Sequence, residues 1–349
     1  MRIAKFVGLI LLLAVLIAFP QVFPNPAITT IACLTVFYAT ATTGWNIFSG
    51  YTGYIALGHA AYFGIGSYAM ALLCQYWRVP AGYLPFLLLP LVGLIAAGFA
   101  VPLGWISLRT RKHTFVVITI AIFFIMQLMA FNLRSITRGS TGLSLPIPSN
   151  WSGNFFNMPF YYVAVVLLLF ALGLSWWIRN SKYGLGLLAI RDDEDRALGL
   201  GVKTGLSKLT AFVLSALIVG MVGGLHAYFA ESIFPAFAFD PLFDLALALM
   251  GFLGGLGTLA GPILGALILE PTQYYFTMKF SQNGYYLIIY GVMFLVIILL
   301  LPEGIIPTLS KYWIKWKNTH YKLKQAPLIA DAGDPILADN NASEGRVNP

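Results

Sequence analysis

The chain has 349 residues, of which 59% are hydrophobic and only 10% charged, with a mean hydropathy of +0.80. A soluble domain carries about 25% charged residues, so this composition excludes one and indicates an all-α polytopic membrane protein. The formal net charge of +8 comes from cations placed between apolar runs, where they set topology, so it does not point to nucleic acid.

At about 20 apolar residues per transmembrane helix, the runs predict ten spans. They lie near 6–24, 27–48, 54–77, 83–108, 113–133, 160–178, 209–230, 242–256, 258–277 and 284–301. Arg2 and Lys5 precede the first run, as in a signal peptide, but no small-x-small cleavage site follows, so it reads as a first transmembrane helix. Those two cations, the Arg109–His113 cluster, the Arg179–Lys208 loop and Lys311, Lys315, Lys317, Lys322 and Lys324 all fall on the cytoplasmic side if ten spans are present. Nine would put the basic tail outside. That parity favours two segments over 242–277, broken at the run Gly251, Gly254, Gly255, Gly257, Gly261 and Pro262. Such a break requires other segments to bury the freed backbone groups. One membrane domain is therefore expected over 1–310. A tail over 311–349 opens with aromatics and lysines suited to the membrane surface and ends in a polar, disordered stretch.

Several chemistries are excluded. There is no G-x-x-x-x-G-K-[ST] phosphate loop, no H-E-x-x-H and no nucleophile–His–acid arrangement, so the chain reads as a non-enzyme with no metal or cofactor of its own. Cys33 and Cys74 are packing residues without metal-site spacing. No acidic residue precedes Asp192, and the ionisable groups at membrane depth reduce to His59, Glu270, Asp244 and His226. A stand-alone secondary transporter, the rival class, would need buried carboxylates for its relay.

Two stretches carry the functional reading. In Gly50–Ser67, glycines and aromatics alternate with Thr52, Gly53, Gly58, His59 and Tyr62. Either these residues line a solute path or they serve close helix packing, with His59 satisfied by a neighbour. Gly257, Gly261 and Gly265, like Gly220 and Gly224, recur every four residues and suit tight helix contacts. Glu270, just before Pro271, is expected at the outer interface. The island Arg179–Lys208 is too charged for hydrocarbon. Its acids Asp192–Asp195 suit a helix start. Its apolar Leu187, Leu188, Ala189 and Ile190 are expected to insert into a partner, because exposed apolar residues need a cover.

Five blocks resemble the LivM-type permease subunits of bacterial branched-chain amino acid ABC importers, over about residues 40–305. They are Gly50–Gly53 with Leu57–Tyr68; Leu108–Arg111 with Phe115–Ala121; Thr137–Leu143; Ser181–Gly201; and Gly254–Ala266, with Pro302–Gly304 closing the pattern. Tyr54 and Ala56 stand where the family usually has Gln and Ser, so two polar groups are expected to be missing there. Arg138, Leu185 and Arg196 also depart from the pattern. The resemblance implies a type II ABC importer permease fold of about ten helices in the bacterial inner membrane, with both termini cytoplasmic. It implies a homologous LivH-type permease, two cytosolic ATPases that hold ATP and Mg, a periplasmic binding protein and membrane lipid as partners. In the island, Ser181, Gly184, Leu187, Ala189, Ile190, Arg191, Asp193, Glu194, Ala197 and Gly201 would form the coupling helix that docks on the ATPase. Gly254, Gly255, Gly257, Gly261 and Pro262 would form the helix break. The solute would be Leu, Ile or Val, with urea, short amides or another amino acid as the alternative.

Overall fold

Apolar segments in lipid must satisfy every backbone polar group internally, and helices do so. The computed structural model describes residues 18–148, 151 and 154–280, together with Leu16 and scattered positions between 288 and 312. The helices are α1 (Pro26–Thr52), α2 (His59–Tyr76), α3 (Leu89–Ser107), α4 (Lys112–Asn132) and α5 (Asn154–Arg179). The short α6 (Lys182–Asp192) and α7 (Glu194–Gly199) come next, then α8 (Thr204–Phe229), α9 (Pro241–Gly254) and α10 (Gly261–Phe280). Two residue pairs, Leu143 with Ile233 and Ser144 with Ser232, tie the loops after α4 and α8 as an antiparallel bridge.

Among the described residues, six segments are long and apolar enough to cross a membrane: α1, α3, α4, Phe156–Arg179, α8 and Pro235–Gly254. The predicted spans 6–24 and 284–301 lie largely outside the described residues, as does the tail from residue 313. A unit ending at Ile306 contains all these helices, and a separate unit begins at Pro307.

The core is built around α1 and α8. Helix α8 packs on α1, α2, α3 and α5, and α1 packs on α5, α9 and α10. From Thr35 to Thr52, α1 is buried almost without interruption, whereas α4 turns much of its apolar surface outward, as a lipid-facing helix should. The glycine stripes allow this closeness. A Cβ on Gly66 would run into the Gly220 carbonyl, and one on Gly265 into the Met250 carbonyl.

Two irregularities interrupt the helices, of which only the one within 242–277 was expected. The predicted span 54–77 becomes helix only at His59, because α1 ends at Gly53 in the left-handed region (φ 72°). The six residues between are not left bare. The Trp45 indole donates to the Ala56 carbonyl (2.8 Å), and the Ser49 and Thr119 hydroxyls accept from the N–H groups of Ala56 (3.2 Å) and Leu57 (3.3 Å). The stretch 242–277 forms two helices, α9 and α10, as the glycine run predicts. Its freed groups are held by Asn46, whose amide accepts from Gly257 N (2.9 Å) and donates to Thr258 O (2.9 Å). Side-chain satisfaction of this kind makes non-helical backbone tolerable at membrane depth.

Candidate functional site

The island folds from its own sequence signals. Ser181 caps α6, its hydroxyl accepting from Gly184 N at 3.1 Å. Asp193 ends α6 and caps α7, accepting from the N–H groups of Asp195 (3.0 Å) and Arg196 (3.1 Å). The Arg196 N–H is the main cause holding the Asp193 carboxyl below the ordinary carboxylate range. Glu194 and Asp195 occupy the first turn of α7, where the helix dipole favours acids.

The island's apolar face points inward. Leu187 and Ile190 are fully buried and Ala197 is 1% exposed, packed in one cluster with Tyr54, Phe115, Ile178 and Phe212. This corrects the expectation that Leu187 and Ile190 insert into a partner: they anchor the island to its own membrane domain. Gly184 is buried for the same reason, since a Cβ there would strike the Ile178 carbonyl. Leu188 and Ala189 are half-buried, and Gly201 is exposed in the left-handed region (φ 86°). The apolar surface offered outward is instead Leu185, Leu198, Leu200 and Leu206, at 64%, 59%, 83% and 61% exposure.

Two polar clusters join the island to the helix breaks. In the first, Glu194 accepts from the Lys208 ammonium and from the Tyr54 hydroxyl. The Lys208 ammonium also lies 4.5 Å from the centre of the Tyr54 ring. The Lys208 side chain is 5% exposed and that of Glu194 24%. Burial pushes the Glu194 carboxyl up, but the hydrogen bonds from Lys208 and Tyr54 and the nearby cations outweigh it and hold the group below its ordinary value. Tyr54 thus supplies a polar group where the sequence pattern suggested one was lost.

In the second cluster, Arg191 donates to the Gly50 carbonyl (2.9 Å) and Arg179 to the Gly257 carbonyl (3.0 Å). The Arg191 side chain also packs against Gly53 and Gly257, where a Cβ would leave it no room. One arginine of α6 therefore touches the end of α1 and the break after α9. By contrast, the Arg111–Asp195 pair (3.0 Å) is exposed on both sides.

The candidate path residues are brought together only in part. Gly53 sits by Arg191, and the Thr52 hydroxyl is spent on the Phe48 carbonyl (2.8 Å). Gly58 abuts Thr119. His59 is fully buried, its Nε2 2.7 Å from the Ser215 hydroxyl, so one ring nitrogen meets a side chain rather than a carbonyl, while its buried Nδ1 has no partner among the described residues. Tyr62, 1% exposed, lies edge-on to His59 and Phe212. Each of the five has a packing or hydrogen-bonding neighbour in the fold. Asp244 accepts from Ala60 N (3.0 Å) and so caps α2. Glu270, expected at an interface, is buried at 6% exposure with one oxygen unpartnered. Among the described residues no group of His, Cys, Asp and Glu could hold a metal. The sequence reading does not single out Asn46, although an amide inside an apolar run signals a buried polar contact.

Residues 27–298 match the family described as branched-chain amino acid transport system, permease component. The chain is 28% identical over 345 residues to the high-affinity branched-chain amino acid transport system permease protein LivM of Escherichia coli K12, covering 91% of this chain and 78% of that one. It is 25% identical over 292 residues to LivH of the same organism, covering 77% of this chain and 91% of that one. A shorter match, 25% over 149 residues, covers 40% of this chain and 45% of a probable LivH of Methanocaldococcus jannaschii. No solved structure matches. The family match spans most of this chain's length, and the chain belongs to the branched-chain amino acid transport permease family.

Proposed function

We propose that this chain is a permease subunit of an ATP-binding-cassette importer that carries leucine, isoleucine and valine across the bacterial inner membrane. In that assembly it pairs with a LivH-type permease. Two cytosolic ATPases hold ATP and Mg, and a periplasmic binding protein delivers the solute. Ten spans with both termini cytoplasmic fit the distribution of basic residues. The observation that carries the coupling role is the island's two-sided construction. Leu187, Ile190 and Ala197 root it in the membrane domain, while Leu198, Leu200 and Leu206 stand exposed on its outer side. Apolar residues left uncovered in this way mark an interaction surface. Force applied to them reaches the helix breaks through Arg191 and Glu194. The experiment is Leu200→Asp in the complete importer. It should leave membrane insertion intact and abolish co-purification of the ATPases and uptake together. Retained co-purification with normal uptake would refute the docking surface.

A further inference from the structure

A groove between α2, α3 and α4 is used neither by the coupling island nor by the helix breaks. Its volume is about 340 Å³, and Leu72 and Leu73 of α2, Ile95 and Phe99 of α3 and Met126 and Met129 of α4 stand in its walls. Phe99, Met129 and Ile136, which also line it, are 49%, 46% and 51% exposed. The groove therefore opens sideways, where the surroundings of a membrane-spanning chain are hydrocarbon. Leu133 and Thr137, just beyond α4, line one end.

That end lies at headgroup depth. Tyr76 and Trp77 stand 86% and 53% exposed at the end of α2, one turn beyond Leu72 and Leu73. Exposed aromatics of this kind mark the boundary between membrane and water. The Gln75 amide donates to the Ser144 carbonyl (3.2 Å) and so ties the end of α2 to the loop after α4. Three cations lie at this level, Arg78 after α2 and Arg134 and Arg138 after α4. All three are exposed, and none forms a salt bridge among the described residues. Arg138 holds the left-handed region (φ 58°), which costs a side chain what it would not cost glycine. Two polar side chains line the groove. The Thr137 hydroxyl is spent on the carbonyls of Ala130 (2.6 Å) and Leu133 (2.9 Å). Tyr68 is 6% exposed, and its hydroxyl has no partner among the described residues.

We infer that this groove binds one anionic phospholipid. An acyl chain lies against α2 between α3 and α4. The phosphate pairs with Arg134 and Arg138, and an ester carbonyl of the lipid accepts from the Tyr68 hydroxyl. At ~30 Å³ for each water-sized group the space takes roughly eleven methylenes, and the rest of the chain continues into the bilayer past the exposed rim. A partner helix, about 10–12 Å across with its side chains, offers a space of this volume only single side chains and brings no phosphate to the arginines. The site depends on the chain spanning a membrane and not on the importer reading.

The test uses the full-length chain, purified with its membrane partners and delipidated in detergent. Native mass spectrometry follows the binding of added phosphatidylglycerol and phosphatidylethanolamine. Wild type should retain one phosphatidylglycerol in preference to phosphatidylethanolamine. The double variant Arg134→Gln, Arg138→Gly should weaken phosphatidylglycerol binding about tenfold and erase the preference. It should not lower the melting temperature of the lipid-free protein, because glycine suits the left-handed position. Met129→Trp, which fills the groove, should weaken both lipids alike. Phosphatidylglycerol binding unchanged in both variants would overturn the site. A benzophenone side chain placed at Ile136 in native membranes should crosslink to phospholipid; crosslinking to another polypeptide instead would also overturn it.

Discussion

Adjacent acids in α7 should behave oppositely when removed. Glu194→Ala takes away the carboxylate that pairs with Lys208, whose side chain is 5% exposed. The ammonium is then left with the Tyr54 hydroxyl at 3.3 Å and the Tyr54 ring. Breaking a buried pair from one side costs about 3–5 kcal/mol. Because the Glu194 side chain is 24% exposed, water can relieve part of this, and a loss of about 3 kcal/mol at the low end of that range is expected. Asp195→Ala removes the Arg111 pair, whose side chains are 82% and 68% exposed, and should cost less than about 1 kcal/mol. Thermal unfolding of the detergent-purified protein, together with the rate of protease nicking in 192–204, measures both. Glu194→Ala should lower the transition by several degrees and expose the loop, while Asp195→Ala should do neither. Lys208→Met added to Glu194→Ala should restore much of the loss, because it removes the stranded charge. Equal effects of the two single variants, or a double variant as poor as the sum of its parts, would refute the reasoning.

Three further expectations follow from the same structure. Asn46→Ala strands Gly257 N and Thr258 O, at about 1–3 kcal/mol for each unsatisfied group, and should loosen the α9–α10 break, read as faster hydrogen exchange at 255–260. Gly66→Ala should destabilise strongly, since its Cβ meets the Gly220 carbonyl. Gly98→Ala, with nothing within 4 Å, should be neutral or stabilising by up to about 1 kcal/mol; thermal melts compare the two. The Glu194 carboxyl titrates lower in the folded chain than in the unfolded one. Its stabilisation is therefore complete above the unfolded value near 4.5 and lost as pH falls through the folded one. Protease protection of 192–204 should drop in that acid window in wild type and not in Glu194→Gln.

Composition and run length alone determined that the chain is helical and crosses a membrane repeatedly, because hydrocarbon leaves the backbone few other options. The glycine run at 254–261 likewise determined a break between α9 and α10. The acids at 192–195 marked the start of α7, while the Ser181 cap of α6, equally local in its hydrogen bond, was seen only in the fold. The direction of the island's apolar face was decided only by the tertiary structure. Leu187 and Ile190 look alike in sequence whether they enter a partner or their own core, and the choice turns on Phe115 and Phe212, which lie distant in the chain. Tyr54 shows the same limit. Read alone it is a lost glutamine; in the fold its hydroxyl reaches Glu194, 140 residues away. Local signals are written in neighbouring residues, whereas the partner of a polar group at membrane depth is set by which helices pack together.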